Sequence, residues 1–221
     1  MSRFDKEALG NELREGIASL GLPLNDEQVE KMLAYLALLV KWNSVYNLTS
    51  IRDPHDMVKQ HLLDSLSAVH AFTQAKNILD VGSGGGLPGI VLAIVFPTAS
   101  VTMIDIVNKK TAFLTQVKAE LKLKNVTVHT GRVELLKVEH LFDVITSRAF
   151  SELNNFINWS QHLLTEDGRF LAMKGVSPTQ EIERLPEGWE VERIEPLRVP
   201  GLNVERHLVH VKKLDSVNLL S

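Results

Sequence analysis

Apolar residues recur at helical spacing along residues 4 to 20 and 26 to 43. In the second run Leu33, Leu36, Ala37 and Val40 form a stripe, and Asn25 or Asp26 offers an N-cap. A third helix is predicted after Asp53-Pro54, where MVKQHLLDSLSAVHAF places Val58, Leu62, Leu66 and Val69 on one face. From residue 77 the pattern changes to short apolar runs alternating with amphipathic segments: NILDV, GIVLAIVF, VTMID, NKKTAFLTQVKAELKL, VTVHT, VELLKV and FDVITSRAF. That alternation predicts a β-α-β-α series on a parallel sheet. A helix (SELNNFINWSQHLL), a strand (RFLAMKG) and two last strands (WEVERIEPL and ERHLVHVKK) follow. The last two have no long helix between them, which predicts an antiparallel hairpin closing a mostly parallel sheet. The chain therefore divides into a helical extension, residues 1–75, and an α/β core, residues 76–221. No repeat or low-complexity segment interrupts it.

The chemistry concentrates where the strand NILDV meets SGGGLPG. Gly82, Gly84, Gly85 and Gly86 let the backbone reverse and approach a ligand, and Leu87-Pro88-Gly89 opens a helix. The crevice at the carboxyl ends of such strands is where open α/β sheets bind ligands. The spacing G-x-G-x-x-G occurs at Gly84, Gly86 and Gly89, but the strand ends in Asp80, so the register is D-x-G-x-G-x-G. An acid there would repel a pyrophosphate and suits a ligand that carries a cation, such as S-adenosylmethionine with its ammonium and sulfonium. Asp105 ends the next strand about 20 residues on, where a carboxylate can accept both ribose hydroxyls. Asp105 serves NAD and S-adenosylmethionine alike, whereas Asp80 favours the methyl donor. A tight turn with no ligand is the bland alternative.

Composition removes further chemistries. With no cysteine, disulfides, Cys-ligated zinc and the thiol used in pyrimidine C5 methylation are impossible. The fourth strand ends in Arg148-Ala149-Phe150 rather than in the Asn- or Asp-Pro-Pro-aromatic sequence of exocyclic amino methyltransferases. Arg148 could hold a phosphate or a purine O6; a salt bridge at the sheet edge is the alternative. Lys174 adds a second cation at that edge, while Lys109, Lys110, Lys118, Lys122 and Lys124 read as a solvated helix face. The net charge of −3 argues against a general nucleic-acid binder. Residues 1–75 carry 7 basic and 10 acidic side chains, leaving 17 of each beyond, since the totals are 24 and 27. The mixed-charge start MSRFDKEALG and apolar runs too short to span a bilayer predict a cytoplasmic protein. His207 and His210, three apart on a strand, face opposite ways and make a poor metal pair. His61 and Asp64 share a helical face as a local hydrogen bond would require, and Trp42 and Tyr46 are expected in the helical core.

KWNSVYNLTSIRD (41 to 53), HLLDSL (61 to 66), LDVGSGGGLPGI (79 to 90), SRAF (147 to 150), LAMKG (171 to 175) and ERHLV (205 to 209) together closely resemble the bacterial methyltransferase G family, also called glucose-inhibited division protein B. Its members methylate guanine N7 in 16S ribosomal RNA, and the likeness covers nearly the whole chain. The resemblance implies a class I Rossmann-like methyltransferase with a mostly parallel seven-stranded sheet and an N-terminal helical extension. It also implies S-adenosylmethionine as donor and the decoding-region loop of small-subunit RNA as acceptor. The family's donor site carries over to Gly82, Leu87, Val133, Glu134 and Arg148, and Asp105 matches its ribose-binding acid. With Asp80 and Gly84 from the turn, these are the expected donor-site residues. Arg148 is also expected to be catalytic, as a positioner, because a proton donated to N7 would occupy the reacting lone pair. The expected partner is 16S rRNA within the small subunit; no membrane and no metal are expected, and the protein is expected to act as a monomer.

Overall fold

The computed structural model describes residues 4–148 and 152–214. Ala149, Phe150 and Ser151, which belong to the SRAF motif and to the start of SELNN, lie outside the described residues. The extension opens with α1 (Lys6–Ser19), capped by Asp5, whose Oδ1 accepts from the Glu7 and Ala8 amides. In α2 (Asp26–Tyr46), Asn25 Oδ1 accepts from the Gln28 amide while Gln28 Oε1 accepts from the Asn25 amide, a reciprocal cap. Asp53 then caps α3 (Pro54–Met57), which runs through a π-helical turn (Val58–Leu63) into α4 (Asp64–Leu66). Val58, Leu62, Leu66 and Val69 are all buried, as their spacing predicts.

The core alternates as expected: β1 (Asn77–Val81), α5 (Gly89–Val95), β2 (Ser100–Asp105), α6 (Asn108–Glu120), β3 (Val126–Thr130) and β4 (Phe142–Ser147). It continues with α7 (Leu153–Ser160), β5 (Leu164–Lys174), α8 (Thr179–Ile182), β6 (Trp189–Pro196) and β7 (His207–Lys213). The seven strands lie in the order β3-β2-β1-β4-β5-β7-β6, all parallel except β7, which runs antiparallel to both its neighbours. VELLKV does not form the expected helix. It makes one 3-10 turn (Val133–Leu135), because Arg132 at its N-cap brings no capping oxygen and Leu136 is already extended. Strand β5 starts at Leu164, ahead of the expected RFLAMKG.

The sheet separates two apolar clusters, and strand alternation sorts its side chains between them. Ile78, Val101 and Met103 join Leu9, Met32, Leu36, Ile90 and Phe113 on the side of the extension, α5 and α6. Leu79, Ile145 and Phe170 join Phe156 and Trp189 on the side of α7. The first cluster runs from α1 to Leu208 without a break at residue 75. The buried stripe of α2 is turned from the expected one: Met32, Leu33, Tyr35, Leu36 and Leu39 are buried, whereas Ala37 and Val40 are half-buried. Trp42 packs on Phe113, with ring centroids 5.6 Å apart. Tyr46, expected in the core, is 43% exposed, because it ends the helix beyond Asn43, the last buried residue of α2. Among the described residues no helix is long and apolar enough to cross a membrane.

Candidate functional site

The turn between β1 and α5 is tied on one side to β2. The Gly82 and Ser83 amides donate to the Ile104 carbonyl, and the Gly84 amide donates to Asp105 Oδ2 at 2.9 Å. Its far end closes on itself through Gly86 N to Ser83 O, 2.7 Å. Gly86 has no substitute there: its φ is +95°, and a Cβ would lie 2.6 Å from Ile90 Cγ1 and 2.7 Å from Leu114 Cδ2.

At the carboxyl ends of β1, β2 and β3 this turn borders a cavity of about 490 Å³. Gly82 and Asp105 form part of its wall, Val133 and Glu134 another part, and Ile106, Lys110 and Trp159 complete its rim. Asp105 is only 6% exposed, and its two oxygens accept from Gly84 N and Val107 N, with Lys110 Nζ 3.8 Å away. Glu134 is bound by Arg132 at 2.8 Å, which holds its carboxyl below the usual carboxylate range. Ile106, 69% exposed, presents an apolar surface to whatever enters.

Asp80, Gly84 and Leu87, expected at the donor site, stand behind this wall rather than in it, and Arg148, expected there too, lines a different cavity. Asp80 is fully buried, its Oδ2 accepting from the Gly89 amide at 2.9 Å. Burial pushes its carboxyl up to about 7, against the opposing pull of the Gly89 amide and of Arg148. Oδ1 of Asp80 has no hydrogen-bond partner among the described residues. Asp80 holds the start of α5, and Gly84 holds Asp105. Leu87 is 5% exposed and packs in the core.

Arg148 lines a second cavity, of about 300 Å³, over the ends of β4 and β5. Its guanidinium is drawn to the extension: Nη1 donates to Gln60 O at 3.0 Å and to Asp64 Oδ2 at 3.3 Å, while Nη2 lies 3.3 Å from His61 Nδ1. Asp64, 2% exposed, also takes Arg206 Nε on Oδ1 at 2.7 Å. One carboxylate thus holds two guanidinium groups. Burial first and Arg148 second push His61 down to about 4, so the ring is neutral near pH 7. Its Nδ1 lies 3.3 Å from Arg148 Nη2 and 3.2 Å from Gln60 O, and Nε2 pairs with Thr49 Oγ1 at 3.0 Å. The expected local bond between His61 and Asp64 gives way to this shared grip on Arg148. Lys174, at the same edge, pairs with Glu181 at 2.8 Å. The π-helical turn supplies Gln60 and His61, in keeping with the frequent placement of such turns at functional sites.

Sequence reasoning passed over Gln60 and Arg206 as site residues, although the first precedes HLLDSL and the second lies within ERHLV. It also took Tyr35 for no part of the site. Burial pushes that phenol's pKa up, so it stays a neutral donor, and its hydroxyl reaches the Gly85 carbonyl at 2.7 Å.

A family model, GidB, described as rRNA small subunit methyltransferase G, matches residues 28–209. A protein of Herminiimonas arsenicoxydans named ribosomal RNA small subunit methyltransferase G is 60% identical over 96% of this chain and 100% of its own length. A protein of the same name in Janthinobacterium sp. (strain Marseille) is 57% identical over 96% of this chain and 99% of its own. Among solved structures, the glycopeptide N-methyltransferase MtfA superposes with a TM-score of 0.59 at 15% identity, covering 73% of this chain and 100% of that one. TrmN from Thermus thermophilus superposes at 0.55 and 14% identity, covering 95% and 80%. At those identities the likeness speaks for the fold alone. The agreement of fold, cavity position and full-length relatives leads to one conclusion: the chain belongs to the GidB family, the rRNA small subunit methyltransferase G proteins.

Proposed function

We propose that the protein transfers the methyl group of S-adenosylmethionine to N7 of a guanine in the decoding-region loop of 16S ribosomal RNA, within the small subunit. The observation that carries this reading is the cavity at the ends of β1 to β3, with the buried carboxylate of Asp105 in its wall, in a chain of this family. The residues present suit the donor. Each oxygen of Asp105 uses one lone pair on an amide and keeps capacity for a ribose hydroxyl. Ile106 and Val133 offer apolar faces to a base, and Gly82 lets backbone come close. Asp80 and Gly84 support the donor from behind, through Gly89 and Asp105, and Leu87 anchors the turn in the core.

When bound, S-adenosylmethionine supplies a methyl group on a positively charged sulfur, which N7 can take by direct displacement. Guanine N7 has a lone pair and no proton to lose, so this chain need supply no general base. Its residues contribute alignment and exclusion of water. The second cavity is the natural place for the acceptor. Arg148, fixed by Gln60, His61 and Asp64, can donate outward to O6 or to a phosphate without occupying N7. It is catalytic in the sense of positioning, and Arg206, held on the same carboxylate, shares the task. In this reading residues 76–221 carry the donor, residues 1–75 and the core share the wall of the acceptor cavity, and the protein works as a monomer beside ribosomes in the cytoplasm, with no metal called for.

The test is mass spectrometry of small-subunit RNA from cells with and without the gene. One N7-methylguanosine should vanish with the gene and return when purified protein and S-adenosylmethionine are added to isolated subunits. A full complement of that nucleoside in cells lacking the gene would overturn the assignment.

A further inference from the structure

The turn that borders the donor cavity is held from two sides, and only one of them is the sheet. Gly82, Ser83 and Gly84 bond to β2, whereas the next carbonyl, that of Gly85, accepts a hydrogen bond at 2.7 Å from Tyr35 of α2, fifty residues earlier in the chain. Gly84 and Gly86 on either side have φ of +56° and +95°, and neither carries a side chain that could fix the peptide between them. Tyr35 itself has no freedom: it is fully buried, with its ring 6.2 Å from that of Phe113. The same helix also grips the far end of α5, where Gln28 Nε2 donates to the Ile94 and Val95 carbonyls at 3.1 and 3.2 Å. One helix of the extension therefore clamps the turn and the helix that follows it.

We infer that Tyr35 is a positioning residue for the methyl donor: its hydroxyl fixes the Gly85 peptide, and through the adjoining Gly84 amide it sets the aim of the Asp105 carboxylate. This deepens the proposed function and rests on it. Tyr35 does not border the cavity, so its effect reaches the donor only through the turn. Removing the hydroxyl leaves the Gly85 carbonyl without its donor and the Gly85–Gly86 peptide held only through Gly86 N to Ser83 O, in a glycine backbone that allows other conformations.

The experiment is titration calorimetry and steady-state kinetics on Tyr35→Phe in the full chain. Donor affinity should fall roughly 3- to 10-fold, the range expected for one lost hydrogen bond. KM for S-adenosylmethionine should rise to match, while kcat at saturating donor and KM for the small subunit stay near wild type. A purely structural residue would lower the melting temperature without that split, and Phe72→Leu, in the core away from the turn, provides the comparison. Unchanged donor affinity in Tyr35→Phe, beside a wild type that binds, overturns the inference alone. A wild type that does not bind S-adenosylmethionine overturns the proposed function and the inference with it. A second measurement decides the matter should Tyr35→Phe not fold. The chain has only two tyrosines, so 3-fluorotyrosine labelling gives two fluorine resonances, which Tyr46→Phe assigns. Added S-adenosylmethionine should shift the Tyr35 resonance and leave that of Tyr46 in place; a Tyr35 resonance that does not respond to bound donor overturns the inference.

Discussion

Two aspartates on neighbouring parallel strands show how burial divides labour between identical side chains. Asp105 reaches the cavity and still has lone pairs to offer, whereas Asp80 lies buried behind it with Oδ2 on the Gly89 amide. Asp105→Ala should weaken donor binding by about 1 to 3 kcal/mol, the cost of leaving its partners unpaired, and calorimetry on the folded variant measures it. An affinity equal to wild type would remove Asp105 from the donor site. The buried ionisable groups also write opposite signs into the pH dependence of stability. His61 titrates near 4 when folded against 6.5 when unfolded, so the stability it contributes is present above about 6.5 and is lost as pH falls towards 4. Asp80 titrates near 7 when folded against 3.8, so its contribution is greatest at low pH and is lost as pH rises from about 4 through 7. The two partly cancel in the wild type. Denaturant melts of His61→Gln should show the wild type's advantage shrinking between pH 6.5 and 4, by an amount of the order of 3 kcal/mol. A difference that stays constant across that window would mean that His61 carries its proton in the folded protein.

At the scale of elements, the strength of each local signal decided what could be read. The sequence offers Asn25 or Asp26 as the cap of α2, and the structure settles on Asn25, with both bonds of a reciprocal cap to Gln28. Asn25→Ala should cost about 1 kcal/mol and lower the melting temperature by a few degrees, which calorimetric melting checks. The stripe of α2 was legible as a stripe but not in its phase, because Ala37 and Val40 are as apolar as the residues that are buried. Tyr35 escaped notice for a different reason. Its partner is a main-chain carbonyl, which carries no mark in sequence, and the turn lies fifty residues away. The glycines announced the turn because Gly82, Gly84 and Gly86 take positive φ, and Asp105 followed from its place at a strand end. The depth of Asp80 could not be read, since D-x-G-x-G says where the acid stands along the chain and nothing of what covers it. VELLKV looked helical by periodicity alone, and its missing cap was the signal to weigh.

For the molecule as a whole, charge is the quantity that bears on its partner. A chain of net charge −3 that binds RNA must do so through local contacts, yet Arg148 and Arg206, the two arginines of the second cavity, are both held on Asp64. Binding to small subunits should therefore depend weakly on salt. A plot of log affinity against log salt whose slope corresponds to six or more phosphates, at about 0.7 to 0.9 per contact, would mean that basic patches elsewhere dominate.

The sheet order has a consequence for how the molecule comes together. Strand β7, later in sequence than β6, lies between β6 and the rest of the sheet, and among the described residues β6 pairs with no other strand. Whatever nucleates first, β6 cannot add to the sheet ahead of β7, so the two either dock as a preformed hairpin or β6 waits. Arg206, the residue before β7, reaches Asp64 across 142 positions of sequence, a separation that makes the contact entropically late. The last strand to find its place thus delivers the second guanidinium to the carboxylate that already holds the first, and the cavity over the ends of β4 and β5 is completed only when the whole fold is.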